Sequence, residues 1–121
     1  MVSLIELYER IGYDVEFAMD LFEGFIDDAR DIIGELRKGL SGSDMSVVSA
    51  AAHNIKGAAQ NLSVTPLEMV SRRIEAVAKG QAQEDLSGLI EEITTTVDAL
   101  EVFIQQDGWA VLSTEDQAKI G

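Results

Sequence analysis

Four long stretches of this 121-residue chain repeat apolar residues at three- and four-residue steps, and no segment of any length alternates apolar with polar. That pattern allows helices packed on helices and little else. The first stretch runs from Asp14 to about Gly39, with Val15, Met19, Phe22, Phe25, Ile26, Ile32, Ile33 and Leu36 on one side. Leu40-Ser41-Gly42-Ser43 reads as a turn, and Ser43 or Asp44 caps a second stretch reaching about Leu62. A third opens at Thr65-Pro66-Leu67-Glu68. Thr65 reads as N-cap, Pro66 as first helical residue and Glu68 as the far half of a capping box. Its apolar face is Leu67, Val70, Ile74 and Val77, and it stops near Gly80. A fourth spans about Glu84 to Gln105 with Leu86, Leu89, Ile93, Val97, Leu100 and Ile104 in register. Short links make successive helices antiparallel. The expected fold is all-α, an antiparallel up-down four-helix bundle. A short additional N-terminal helix is expected from Ser3 to Gly12, with Leu4, Ile5, Leu7, Tyr8 and Ile11 as its apolar residues. The domain is read as residues 1–106. After the Asp107-Gly108 break, the tail 107–121 is either a short helical turn or mobile.

Charge narrows the function. The chain carries a net −13 with a pI near 4.2, so phosphate backbones and anionic lipid surfaces are repelled. The run Glu23, Asp27, Asp28, Asp31 and Glu35 is read as the solvated outer face of the first long helix, with a docking surface as the alternative. Arg37 and Lys38 complement the negative end of that helix dipole. Gly24 and Gly34 interrupt its interior at roughly 1 kcal/mol each relative to alanine, for which close packing is the one reason the sequence offers. There is no cysteine, and the first ten residues lack the basic-then-apolar layout of a signal peptide. No run approaches the ~20 apolar residues of a membrane span. A cytoplasmic protein is expected. One histidine and no cysteine leave no ordinary transition-metal site, and no glycine-rich phosphate loop is present, so no cofactor is expected in this chain.

The single histidine lies on the second long helix. At about 100° per residue, Val48, Ala52, Ile55, Ala59 and Leu62 form the core stripe, and His53 projects about 160° from its centre. Ser46, Ser49, Lys56, Gly57 and Gln60 fall within roughly 60° of His53. An outward imidazole that is largely neutral near pH 7 is a nucleophile. Lys56, at i+3, is placed to offset a phosphoryl charge, and Gly57, at i+4, removes a side chain where a partner must come close. The bland alternative is an ordinary surface histidine; the lysine and glycine beside it favour phosphoryl chemistry.

Ala52-His53-Asn54-Ile55-Lys56-Gly57-Ala58-Ala59-Gln60-Asn61-Leu62 resembles the phosphorylation-site helix of histidine phosphotransfer domains, approximately A-H-x-L-K-G-x-A-x-N-L-G. Leu21-Phe22-Glu23-Gly24-Phe25 followed by Leu36 is similar to the family's preceding helix, and Ile74-Glu75 stands where the family commonly has Leu-Glu. The resemblance covers about residues 3–105. It departs after Leu62, where the family's Gly-Ala is Ser63-Val64. By this resemblance His53 is the phosphoacceptor, with Lys56 and Gln60 as supporting polar groups and Gly57 permitting docking; Ser49 and Ser46, which the wheel puts on the same face, are expected to belong to the docking surface. It implies a phosphorelay intermediate that exchanges phosphate with the aspartate of response-regulator receiver domains. A histidine kinase supplies ATP chemistry, and magnesium belongs to the receiver.

Two rivals remain from the residues alone. One is the dimerisation and phosphoacceptor region of a histidine kinase. There an acidic residue usually follows the histidine and Thr-Pro follows later, whereas here Asn54 and Gly57-Ala58 occupy those places. The other is a helical adaptor with an incidental histidine. A chain with enough helices to close its own bundle is expected to be a monomer. The module reads the same as a stand-alone protein or as one domain of a larger kinase.

Overall fold

The computed structural model describes residues 15–105. Four helices account for most of them: α1 (Val15–Ser41), α2 (Met45–Asn61), α3 (Thr65–Ala78) and α4 (Leu86–Phe103). No strand occurs among the described residues. Each helix packs on its sequence neighbours, and α1 closes on α4, so the bundle is a ring with one core. The most extensive contact is between α2 and α3. The anticipated N-terminal helix and the tail 107–121 lie outside the described residues.

The apolar stripes meet as their spacing requires. Phe22, Leu36, Val48, Ile55, Leu67, Ile74, Ile93, Val97 and Leu100 are fully buried. Met19, Ile32, Leu62, Val77 and Leu86 sit at the margin of the core, and Ala29, Ala51 and Ile90 join it beyond the stripes read from sequence. Glu23, Asp27, Asp28, Asp31 and Glu35 are all exposed. Gly24 and Gly34 are not close-packing residues, since a Cβ at either would have no atom within 4 Å. Nothing in the structure explains those two glycines. Close approach occurs at Gly39 instead: a Cβ there would stand 2.8 Å from Val48 Cγ2 and 3.2 Å from the Asp44 carbonyl oxygen. The last turn of α1 therefore lies directly against the first turn of α2.

The same hydrogen-bonded stop closes α1, α2 and α3. Asp44 N–H donates to Gly39 O (2.8 Å), Val64 N–H to Ala59 O (2.9 Å) and Gln81 N–H to Ala76 O (2.8 Å), each the 6→1 bond of a Schellman turn. The left-handed residues of these turns are Ser43 (φ 53°), Ser63 (φ 59°) and Gly80 (φ 74°). Asp44 serves twice, because its carboxylate also accepts from Val47 N–H and caps α2. At the next junction Val64, buried beneath the turn, takes the N-cap position of α3. Thr65 is then already helical and no side chain caps this end, so the expected capping box is not formed. Glu68 pairs with Arg72 instead (3.4 Å). The fourth helix begins at Leu86, two residues later than its periodicity suggests, because Asp85 caps it through Ser87 and Gly88 N–H.

Arginines fasten the outside. Arg30 bonds Asp98 (2.9 Å) and Glu101 (3.0 Å), and Arg37 bonds Glu91 (3.1 Å) and Thr94 Oγ1 (3.1 Å), joining α1 to α4. The role of Arg37 thus extends past the helix dipole. Arg73 ties α3 to Glu84 (2.6 Å) and Glu92 (2.9 Å). Exposed pairs add little stability individually, but these fix which faces meet.

Ser63 holds a left-handed conformation in which an L side chain is strained and glycine is not. Ser63→Gly is expected to raise stability by about 0.5–1 kcal/mol. Thermal unfolding followed by circular dichroism should show a midpoint higher by about 2–6 °C; an unchanged or lower midpoint contradicts this account of the turn.

Candidate functional site

His53 stands on the outer face of α2, with its side chain 67% exposed. Its ring is nevertheless not free to turn, because Nδ1 lies 3.0 Å from Oε2 of Glu75 on α3. The glutamate side chain is only 10% exposed, at the seam where α2 and α3 pack. Lys56 Nζ donates to its other oxygen, Oε1, at 2.6 Å. Lys79, one turn along α3, reaches Oε2 at 3.3 Å. One carboxylate therefore gathers a histidine and two lysines from two helices.

A buried carboxylate ordinarily resists ionisation. Here the Lys56 ammonium outweighs burial and, with Lys79 and His53, holds the Glu75 carboxyl down at about 2. Glu75 is then a pure acceptor near neutral pH. The proton in the His53–Glu75 bond must sit on Nδ1, which leaves the Nε2 lone pair of the neutral ring directed away from Glu75. The Lys56 link is short and its side chain only 19% exposed, whereas Lys79 is 49% exposed. An exposed pair such as Lys79–Glu75 is worth about 0.2–1 kcal/mol, and the more buried pair is costlier to break.

An open groove borders the ring, lined by Met45, Ser46, Ser49, Ala50, Asn54, Glu75, Ala78 and Lys79. Ser46 and Ser49 thus share a surface with His53, as their helical spacing implied. Gly57 and Gln60 do not line this groove. Gln60 is exposed, and a Cβ at Gly57 would meet no atom within 4 Å. Lys56 was expected on the open face, opposite the core; it lies instead largely covered against Glu75. Asn54, Glu75 and Lys79 are the site-lining polar residues that the sequence reading did not assign a role. Glu75 did carry a signal. It follows Ile74 on the edge of the buried Leu67–Ser71–Ile74 face, where an acid needs a cation, and Lys79 stands four residues on.

Among the described residues no cluster of three or more His, Asp or Glu side chains is placed to hold a metal ion, and no helix is long and apolar enough to cross a membrane.

An exposed imidazole is thus held by its inner nitrogen on a closed four-helix ring. The family model of the Hpt domain matches residues 20–103, and the chain belongs to that family. Membership of that family gives the chain a phosphotransfer role in two-component signalling. The chain is similar to the sensory/regulatory protein RpfC from two strains of Xanthomonas campestris pv. campestris. Each is 25% identical over 107 residues, which is 85% of this chain and 15% of the relative. The chain therefore spans a small part of the length of the curated relatives it matches. No solved structure matches it.

Glu75 gives the domain a defined acid dependence. Its carboxyl is lowered in the folded state from an ordinary 4.5 to about 2, so its contribution to stability is complete above 4.5 and is lost as pH falls toward 2. Glu75→Gln is expected to be less stable than the parent at pH 7 by about 1–3 kcal/mol. Urea unfolding at pH 7, 4 and 2.5 should show the two proteins converging as pH falls. A difference that stays constant across that range contradicts the ionic role of Glu75.

Proposed function

We propose that this chain is a phosphorelay intermediate that carries a phosphoryl group on Nε2 of His53 and exchanges it with the aspartate of response-regulator receiver domains. The observation that carries this reading is the Nδ1–Glu75 bond on an otherwise exposed ring. It leaves one nitrogen, facing away from that bond, with a lone pair to give. In the forward step the Nε2 lone pair forms the N–P bond while the P–O bond of an aspartyl phosphate breaks. The freed aspartate carboxylate keeps that electron pair. The Nδ1 proton stays in its bond to Glu75, whose negative charge offsets the positive ring. Return of the phosphoryl group to a second receiver reverses each change.

The neighbouring residues take roles that fit this step. Lys56 fixes Glu75 and adds positive charge one turn from the ring. Ser46 and Ser49 give the receiver a low groove wall beside His53, and the bare backbone at Gly57 gives it clearance on the following turn. Gln60 is a supporting polar contact at the far edge of that face. Magnesium and the accepting aspartate belong to the receiver, and nucleotide chemistry to a histidine kinase or to the remainder of a longer parent chain. The domain acts as a monomer, since four helices already close the core, and its place is the cytoplasm, where such receivers would meet it.

Incubation with a phosphorylated receiver should label the protein with acid-labile phosphate at His53, and His53→Gln should take up none. Acid-stable label, or label retained in the variant, overturns the proposal. Gly57→Trp should slow transfer by at least about tenfold, the cost of a lost close approach of about 1.4 kcal/mol. Its helical circular dichroism should be unchanged, because a Cβ at this position meets no atom within 4 Å. Unaltered transfer rates with tryptophan at 57 would place the docking face elsewhere.

A further inference from the structure

We propose that the groove beside His53 anchors the receiver by taking an apolar side chain of its docking surface, while Lys79 at the rim pairs with a receiver carboxylate. The inference rests on the phosphocarrier reading above and assigns the residues that select the partner. The groove is open, about 630 Å³ in volume, and Met45, Ala50, Ala78 and Lys79 line it together with His53. Ala50 and Lys79 are exposed, and Met45 and Ala78 are half-buried. Gly57 and Gln60, further along α2, are not part of it. The anchor therefore lies toward the N-terminal half of α2 and the C-terminal end of α3.

Charge sets this face apart from the rest of the described surface. Apart from His53, the one ionisable side chain among the 17 residues of α2 is Lys56, in a chain where 26% of residues are charged. Lys56 is itself largely covered against Glu75. The outer face of α1 carries Asp20, Glu23, Asp27, Asp28, Asp31 and Glu35, all exposed. The α4 helix carries four acidic residues and no basic one. A helix face that is merely solvated carries charge by default, as α1 does. The centre of a protein interface is instead depleted of charge and enriched in methionine, because a charge there must be stripped of water. The outer face of α2 has the second composition, and Met45 is an adaptable wall for an apolar side chain.

Lys79 supplies the charge at the edge. It occupies the C-cap position of α3, half open to water, and its tie to Glu75 is the looser of two, at 3.3 Å against 2.6 Å for Lys56. When Lys79 turns outward, Glu75 keeps Lys56 and the Nδ1 proton of His53. Arg30 and Arg73 each face two carboxylates, whereas at Glu75 two lysines face one. The surplus positive charge matches a partner with a carboxylate beside its apolar anchor and repels one with a basic residue there. Lys79 stays on the Glu75 side of the ring and takes no part in forming or breaking the N–P bond.

The test uses the intact chain and a receiver domain phosphorylated on its aspartate with acetyl phosphate. Transfer to His53 is followed across receiver concentrations, and labelling by phosphoramidate reports the reactivity of the ring with no docking protein present. Ala50→Trp fills the groove from an exposed position. Its half-saturating receiver concentration should rise by about tenfold or more, the loss expected when an anchor is shut out of its pocket. That loss should far exceed any loss of phosphoramidate labelling. Lys79→Glu should slow receiver-dependent transfer by about threefold or more at low salt, high salt should shrink the difference, and Lys79→Arg should behave as the parent. An Ala50→Trp protein with the parent's half-saturation, or with equal losses toward both donors, overturns the anchor site. A Lys79→Glu protein as fast as the parent at low salt overturns the carboxylate contact. Should Ala50→Trp not fold, Ala50→Glu, which puts a charge into the apolar groove, decides by the same comparison. A parent protein that takes up no acid-labile phosphate from phosphoramidate or from any receiver tried refutes the phosphocarrier reading itself, and the anchor with it.

Discussion

An ionised carboxylate at a helix–helix seam is tolerated only where cations surround it, and on this domain the functional face is organised around that requirement. Glu75 stays charged because Lys56 and Lys79 reach it from two directions, and the charged carboxylate in turn fixes the proton of His53 on Nδ1. The arrangement depends on the α2–α3 pairing, since the histidine and one lysine come from α2 while the glutamate and the other lysine come from α3. A slide of one helical turn between these two helices, roughly 5.4 Å, would break every one of the cross-helix bonds. The register of one helix pair is thus the condition for the proposed chemistry.

That register is set by features with no part in the chemistry. The turn between α2 and α3 is only three residues long, and Val64 within it is buried and shared between the end of one helix and the start of the next. Leu67 and Ile74 of α3 and Ile55 and Val48 of α2 fill the interior behind the site. On the far side, arginine pairs join α1 to α4 and hold the connection ahead of α4. The bundle thereby divides its labour: polar contacts of modest individual worth align the α1–α4 side, and a single more buried ionic cluster sits on the α2–α3 side.

Much of this was legible in the sequence, and what was not has a common cause. Apolar periodicity located all four helices, and a wheel placed His53 opposite the core stripe, because both follow from the geometry of one helix. The start of α3 was misjudged because Thr65-Pro66-Leu67-Glu68 fits a capping box locally, while the chain uses Val64 to close α2 and so begins the helix a residue early. Lys56 was placed correctly on its own helix, yet its burial depends on the edge of α3, whose position no wheel of α2 contains. Glu75 lies 22 residues from His53 and 19 from Lys56, and only packing reveals that they share a carboxylate. Arg37 was similarly read from its local dipole before its α4 partners were known. The charge of a residue was legible; the identity of its partner across helices was not.

An imidazole on a helix surface ordinarily wanders among several rotamers. Here the bond from Nδ1 selects one orientation, and the carboxylate that selects it is itself clamped. The ordering is accomplished when the helices fold together, before anything approaches. In the proposed transfer an incoming protein meets a ring already aimed, and is spared freezing a mobile side chain, a penalty of about 0.5–1.5 kcal/mol in loosely held sites. A carrier that serves more than one acceptor gains from this in each encounter alike, since the stillness of the ring belongs to the carrier and not to the complex.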